Sequence, residues 1–323
     1  MEIMNKKRMQ IFSGTGYTAL AEDVAAHLGM KLGDIDIHRF ANGEIYCRMQ
    51  ENVRGSDVFI VQTHCEPVNA NIMEQLIMID AAKRASAKRI TAVVPFYGYA
   101  RQDKKAKSRE PITAKLLADL LTAAGCDRVV SVDLHTGQIQ GFFNDPLDHL
   151  TALPLLVNWV TENIPSDEDI VFASPDAGRV RLAEKFQSRV PDAGIAFLAK
   201  TRTAHNVAKT LAVVGDVEGK TVVLVDDMID TAGTLCGAAE ALAERGAKRV
   251  LALATHPLLS GPACQRLEDS VIEKIVVTST LPIPEHCGSD KIVQLSIAPI
   301  IASTMRAIFE DESVSELFDD DNI

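Results

Sequence analysis

The stretch TVVLVDDMIDTAGT, Thr221 to Thr234, decides how the rest of the chain is read. Its first five residues, Thr221 to Val225, are a β-branched apolar run of the kind that makes a buried strand. Asp226 and Asp227 follow where that strand is expected to emerge at its carboxyl end. Asp230, Thr231, Ala232, Gly233 and Thr234 then lead into the helical pattern LCGAAEALAERGA. Small and hydroxyl residues at a strand-to-helix turn leave backbone N–H groups open at a helix N-terminus, the usual seat for a phosphate. Two carboxylates beside that seat repel a bare phosphate, so they are expected to face sugar hydroxyls or a metal ion. The stretch reads as a sugar-phosphate cradle. The competing reading is an ordinary βα turn whose acids cap the helix or face solvent.

Composition sets the frame around this stretch. The chain has 323 residues, 47% hydrophobic and 24% charged, which predicts a globular protein of two domains. A net charge of −11 argues against a nucleic-acid surface. The six cysteines are scattered without a C-x-x-C pair, a pattern expected to hold neither zinc nor a disulfide framework and to suit a reducing cytosol. No apolar core resembling a signal peptide follows Met1, and no apolar run approaches the roughly 20 residues that span a bilayer. The expected location, by elimination, is the cytoplasm, with no membrane partner.

Outward from the central stretch, the pattern is one of alternating strands and helices. Strands are expected at Met9 to Phe12, Ile35 to Phe40 and Asp57 to Thr63, with EIYCRMQ alternating as a strand after the hairpin signal Asn42-Gly43. A helix is expected from Val68 to Arg84 and a strand from Lys88 to Pro95, making a β-α-β unit. The order of elements from Asp57 to Pro95 recurs from Lys220 to Thr255, and Ala87-Lys88-Arg89 recurs as Ala247-Lys248-Arg249. That predicts two similar α/β domains, 1–153 and 154–304, with 305–323 as a helix end and acidic tail.

Several turns at expected strand ends carry chemistry. Arg101, Lys104, Lys105, Lys107 and Arg109 make a basic loop after Pro95, where open α/β sheets bind ligands, and such a cluster suits a polyphosphate. Phe96, Tyr97 and Tyr99 either flank a purine or pack. His135 follows the strand Arg128 to Leu134, beside Asp133, in a polar turn suited to a metal or phosphate. Asn144 to Leu153 reads as a crossover between domains. Ser174 to Arg179 is a second acid-and-glycine turn, and Lys200 and Arg202 are two cations one residue apart after the strand Ile195 to Ala199. A late strand is expected from Val271 to Thr280 and a helix from Ile297 to Phe309.

Six strings, FANGE, RQDKKAKSREPITAK, DLHTGQIQGFF, SPDAG, KTR and DDMIDTAGT, together resemble the ribose-phosphate diphosphokinase (PRPP synthetase) family over nearly the whole chain. The resemblance implies an α/β fold of two similar type I phosphoribosyltransferase-like domains, each a mainly parallel sheet flanked by helices. It implies transfer of the diphosphoryl group of ATP to the anomeric hydroxyl of ribose 5-phosphate, with Mg²⁺, in a homohexamer. By the same resemblance, Asp226, Asp227 and Asp230 to Thr234 hold ribose 5-phosphate. Asn42, Gly43, Glu44, Arg101 and Gln102 meet ATP, the first three from a neighbouring subunit. His135 and Asp176 interact with Mg²⁺. Lys200 and Arg202 stabilise the transferring group from a mobile loop, Arg202 also touching ribose 5-phosphate. Two positions depart from the family pattern: Arg179 stands where a second glycine is common, and Asn42 where aspartate is frequent. The alternatives are a phosphoribosyltransferase that consumes PRPP and a non-catalytic PRPP synthetase-like regulatory subunit. The first needs only one such domain, and the second is expected to lack residues that are present here.

Overall fold

The computed structural model of the chain describes residues 7–201 and 210–317. It falls into two compact units that are not contiguous in sequence: among the described residues, the first holds 7–151, 280–282 and 297–317, and the second 152–279 and 283–296.

In the first unit the order is β1 (Met9–Ser13), α1 (Thr18–His27), β2 (Ile35–Arg39), β3 (Ile45–Met49), β4 (Asp57–Val61), α2 (Val68–Arg84), β5 (Arg89–Val94), α3 (Thr113–Ala124), β6 (Arg128–Val132) and β7 (Leu147–Leu150). Among the described residues its main sheet runs β1-β4-β5-β6-β7, every pairing parallel. Helices cover such a sheet on both faces, so its inner strands are apolar without alternation. All five residues of β4, DVFIV, are buried. β2 and β3 form a separate antiparallel pair closed by residues 40–44, as the Asn-Gly signal predicts. The expected crossover at 144–153 holds the change from the first unit to the second, after Thr151, and also a short strand, β7, parallel to β6.

The second unit repeats the plan: α4 (Leu153–Asn163), β8 (Ile170–Ser174), α5 (Val180–Gln187), β9 (Gly194–Thr201), β10 (Thr210–Val214), β11 (Thr221–Ile229), α6 (Gly233–Glu244), β12 (Arg249–Pro257), α7 (Ala263–Asp269), β13 (Lys274–Thr278) and β14 (Ile292–Leu295). Its sheet, among the described residues, is β10-β9-β8-β11-β12-β13-β14, parallel except for the β9–β10 hairpin. β8-β11-β12-β13-β14 thus mirrors β1-β4-β5-β6-β7, and the recurrent Ala-Lys-Arg begins the matching strands: Arg89 sits opposite Asp57 in register, Arg249 opposite Thr221. The two α/β sheets expected from sequence are the ones seen. α8 (Ala298–Glu310) follows β14 but belongs to the first unit, where it packs on α1, so a sequence boundary at 304 falls inside this helix.

Two smaller expectations change. The acidic stretch after α8 is not merely solvated: Asp311 pairs with Lys7 and, at 2.6 Å, with Arg89, which also grips Asp57. Lys7 first and then Arg89 hold the Asp311 carboxyl down at about 2. A carboxylate depressed on folding stabilises the fold above its unfolded pKa of about 4 and loses that effect as pH falls towards its folded value. The melting-temperature gap between the natural chain and Asp311→Asn is therefore expected to be widest above about pH 4 and to close by about pH 2. A gap that ignores pH would mean the two cations do nothing for the fold. The second change is a disulfide where none was expected: Cys264 on α7 is bonded to Cys287, 23 residues on, with Cα atoms 5.2 Å apart. No motif marks that spacing, because the pair is made only when the loop before β14 folds back over α7.

Candidate functional site

The central stretch builds its site from strand length. β11 runs to Ile229, four residues beyond the expected end, so Asp226 and Asp227 lie within it. Its pairing with β8 stops at Leu224, opposite Ala173, while pairing with β12 continues to Ile229 opposite Pro257. Past Leu224 one edge of β11 therefore faces the loop that leaves β8 at Ser174, the carboxyl-end crevice in which open α/β sheets take ligands. Asp227 is 7% exposed and Asp226 half-buried.

That loop supplies Arg179. Its Nη2 lies 2.9 Å from Asp227 Oδ2 and its Nε 3.6 Å from Asp226 Oδ1. The Asp227 amide donates to Asp226 Oδ1 at 2.8 Å. Burial, and then the neighbouring Asp227 carboxyl, push the Asp226 pKa well above the ordinary carboxylate range, while Arg179 opposes the shift. The pair cannot easily carry two full charges side by side, and Arg179 offsets one of them. The residue that departs from the double glycine thus holds the two acids expected to bind the sugar. In the same loop Asp176 Oδ1 accepts the Gly178 amide at 2.8 Å, and Ser174 Oγ donates to the Asp176 carbonyl at 2.5 Å. The structure brings Asp176, Asp226 and Asp227 to one edge of one sheet.

Beyond Ile229 the chain turns sharply. The Ser260 amide donates to the Asp230 carbonyl and the Leu259 amide to that of Ile229, both at 2.9 Å. Ala232 takes a left-handed conformation with φ 60°, a costly choice for a residue with a Cβ and of the kind that collects at ligand sites. It starts α6 with no capping side chain, and it leaves Thr231, Gly233 and Thr234 exposed. α6 holds this end in place by burying Leu235, Cys236, Ala238, Ala239 and Leu242. It stops at Gly246, whose φ of 91° lets its amide reach the Ala243 carbonyl at 3.0 Å. Arg266, which the sequence reading missed for want of any motif, donates from Nη1 to the Thr231 carbonyl at 2.9 Å.

In the first unit, Arg101 and Gln102 are exposed on the loop after β5. Asp103, buried beside them, accepts from Thr136 Oγ1 at 2.7 Å, which ties this loop to the one after β6 that carries His135. Gln102 is fixed at the start of α3: its amide donates to the Tyr99 carbonyl at 2.8 Å, and Thr113 Oγ1 donates to its Oε1 at 2.5 Å. Of the three aromatics, Phe96 and Tyr97 are core residues, Tyr97 donating to the Ala114 carbonyl at 3.0 Å, so packing and not purine contact accounts for them. His64, also missed, anchors the loop from below by accepting the Gly98 amide at Nδ1, 3.0 Å, and burial holds its pKa down at about 4. Asn42, Gly43 and Glu44 are exposed at the β2–β3 tip, and among the described residues their hydrogen bonds stay within the hairpin. Asn42 Oδ1 accepts the Glu44 amide at 3.1 Å, so the acceptor kept by this departure already shapes the turn.

The expected cationic pair divides. Lys200 lies in β9, its backbone opposite Leu211, and not on a loop. Arg202 falls outside the described residues.

Acid-and-glycine turns at the carboxyl edge of a parallel sheet, one of them opening a helix, make a site of the class that takes phosphorylated sugars or nucleotides. Residues 9–125 match the N-terminal domain of ribose phosphate pyrophosphokinase, and residues 192–319 the phosphoribosyl synthetase-associated domain. The ribose-phosphate pyrophosphokinase of Clostridium tetani is 52% identical over 318 residues, 98% of this chain and 99% of that protein. That of Streptomyces avermitilis is 53% identical over 317 residues, 98% and 97% of the two chains. The crystal structure of phosphoribosylpyrophosphate synthetase from Mycobacterium smegmatis gives a TM-score of 0.91 at 52% identity, covering 94% of this chain and 100% of that one. The chain belongs to the ribose-phosphate pyrophosphokinase family.

Proposed function

We propose that this chain makes 5-phosphoribosyl 1-diphosphate and AMP from ribose 5-phosphate and ATP, feeding nucleotide biosynthesis. The observation that carries the reading is the run of Asp226 and Asp227 at the open edge of β11 into the exposed N-terminus of α6. Asp226, Asp227 and Asp230 accept hydrogen bonds from the sugar hydroxyls. The backbone amides of Thr231 to Thr234 take the 5-phosphate, with the helix dipole behind them. The ring is thereby held with its anomeric hydroxyl aimed outward.

The anomeric oxygen attacks the β-phosphorus of ATP, the bond from that phosphorus to the oxygen shared with the α-phosphate breaks, and AMP leaves with that oxygen. The hydroxyl's proton passes to solvent. Such a reaction asks a protein for in-line positioning and for neutralisation of spreading charge. Arg101 and Gln102 hold the nucleotide, joined by Asn42, Gly43 and Glu44 of a neighbouring subunit in a homohexamer. The exposed hairpin tip, whose hydrogen bonds among the described residues stay within the hairpin, supports that arrangement. Lys200 and Arg202 meet the transferring group, and Arg202 also contacts the sugar phosphate.

The donor set also suits Mg²⁺, which prefers oxygen and is usually held by one or two carboxylates plus substrate phosphates. Asp176, half-buried at the end of β8, offers such a carboxylate, and His135, a poor direct ligand on softness grounds, acts through water or on a phosphate. When bound, the ion neutralises polyphosphate charge. No helix among the described residues is long and apolar enough to cross a membrane. We place the enzyme in the cytoplasm.

The test is an assay for AMP and PRPP from ribose 5-phosphate, ATP and Mg²⁺. A folded, assembled sample that forms neither would point to a regulatory subunit. Within that assay Asp230→Ala is expected to raise KM for ribose 5-phosphate about tenfold, the scale of one hydrogen bond to a charged group. Unchanged KM and kcat would move the sugar away from Asp230.

A further inference from the structure

Cys264 is half-buried on α7 and Cys287 is 4% exposed in the loop before β14. The exposed His286 has a ring nitrogen within 4.8 Å of both sulfurs. The other described cysteines remain thiols, and burial raises the pKa of each: Cys47 and Cys126 to about 11, with Cys65 and Cys236 also moved upward. Thiolate is the species that exchanges, so chemistry with external thiols falls on the bonded pair. Three ligands, with no fourth among the described residues, fall short of a structural zinc site, whereas a Cα separation of 5.2 Å is ordinary for a disulfide.

The pair is connected to the phosphate turn. Arg266 lies two residues after Cys264 on the same short helix, and it donates to the Thr231 carbonyl at 2.9 Å. Cys236 Sγ, from α6, donates to the Arg266 carbonyl at 3.5 Å. The far end of α7 is tied separately, by Lys291 Nζ donating to the carbonyls of Glu268 at 2.6 Å and Ser270 at 2.9 Å. Cutting the disulfide removes the covalent tether of the half of α7 that leads to Arg266, leaving it held by the buried Ala263 and by the Cys236 and Thr231 contacts, while the Lys291 ties at the far end stay in place.

We propose that Cys264, Cys287 and His286 form a thiol–disulfide exchange site for low-molecular-weight thiols and disulfides, and that its oxidised form tightens the grip of the Asp230–Thr234 turn on a sugar phosphate. The second half rests on the sugar-phosphate reading of that turn; the first does not. In the reducing direction an external thiolate attacks Cys264 Sγ, the more accessible sulfur. The Cys264–Cys287 bond breaks, and its electron pair goes to Cys287, which takes a proton through the adjacent imidazole. A second external thiol attacks the mixed disulfide at the external sulfur and frees Cys264. The sum is protein disulfide plus two thiols giving protein dithiol plus one external disulfide. Oxidation is the reverse, with the external disulfide as oxidant.

The test equilibrates the whole protein with glutathione and glutathione disulfide at several ratios, then alkylates it and reads each cysteine by peptide mass spectrometry. Binding of ribose 5-phosphate is measured by calorimetry at the same ratios. Cys264 and Cys287 are expected to be blocked together at the oxidising end and alkylated together at the reducing end. The sugar phosphate should bind about fivefold more weakly to the reduced protein, the scale of one lost hydrogen bond. Cys264→Ser and Cys287→Ser should each bind at the reduced value whatever the ratio. Labelling that ignores the ratio, or one equivalent of zinc that disappears in Cys264→Ser, overturns the exchange site. Equal binding at both ends overturns the coupling alone. A protein that binds no ribose 5-phosphate at either end overturns the coupling and the sugar-phosphate reading together, while the labelling still decides the exchange site.

Discussion

Replacing Lys200 by alanine is expected to lower kcat by about 10²–10⁴-fold while changing the affinities for ATP and ribose 5-phosphate far less. The reason is placement along the sheet. β9, β8 and β11 are adjacent and parallel, so their carboxyl ends share one edge. The β8–β9 register closes at Ser174 opposite Phe197, which puts Lys200 three residues further along, on the edge that carries Asp176 and Asp226. A diphosphoryl group in transfer spreads negative charge over its non-bridging oxygens. A cation accelerates the step only when it meets that charge more closely in the transition state than in the bound substrates. Lys200 is the next-to-last residue of β9, so its place is near a strand end and not within the loop that the sequence alone predicts. Steady-state kinetics beside equilibrium ATP binding separates the cases. A variant that keeps its kcat and binds ATP poorly would make the lysine a ground-state anchor.

Much of the frame was legible because burial on two faces leaves an unambiguous trace. Val58 to Val61 is a continuous apolar run, and the helix expected from Val68 to Arg84 is the helix found. What escaped was weaker in kind. β14, IVQL, is half-buried throughout and has neither a full apolar run nor a clear alternation. β7 lies in NDPLDHLTAL, whose Asp and Pro residues read as a connection. The extra length of β11 could not be read from Asp226 to Ile229, because that segment is paired on one side only and tolerates acids that a fully flanked strand would exclude. Arg179 shows the same limit. Its side chain was visible as a substitution for glycine, but its partners depend on where β8 stops against β11, and register is a property of two strands together. The motif residues themselves were legible because chemistry constrains their types. Their partners, Arg179, Arg266 and His64, were not, because many arrangements of residues can hold an acid, a turn or a loop in place.

Asp227→Ala is expected to reduce kcat/KM for ribose 5-phosphate by about 10- to 100-fold, the range for losing one charge-assisted hydrogen bond in a buried setting. Two effects act in the same direction. The sugar loses an acceptor that is only 7% exposed, where water competes poorly. Arg179 loses its 2.9 Å partner and retains the 3.6 Å contact with Asp226, so it is drawn further over the remaining acid. The fold should survive, since Asp226 still faces the guanidinium and the apolar half of β11, Thr221 to Val225, stays buried. The pH dependence gives the signature that a merely structural role would lack. Part of the upward push on the Asp226 pKa comes from the Asp227 carboxyl, so removing that carboxyl lets Asp226 ionise at lower pH. If an ionised Asp226 is what binds the sugar, the acid limb of kcat/KM for ribose 5-phosphate moves down in pH even as its plateau falls. The profile is measured for both enzymes with ATP saturating. An acid limb that stays in place would mean that Asp226 does not control sugar binding, and a loss confined to the KM for ATP would move the acid pair to the nucleotide.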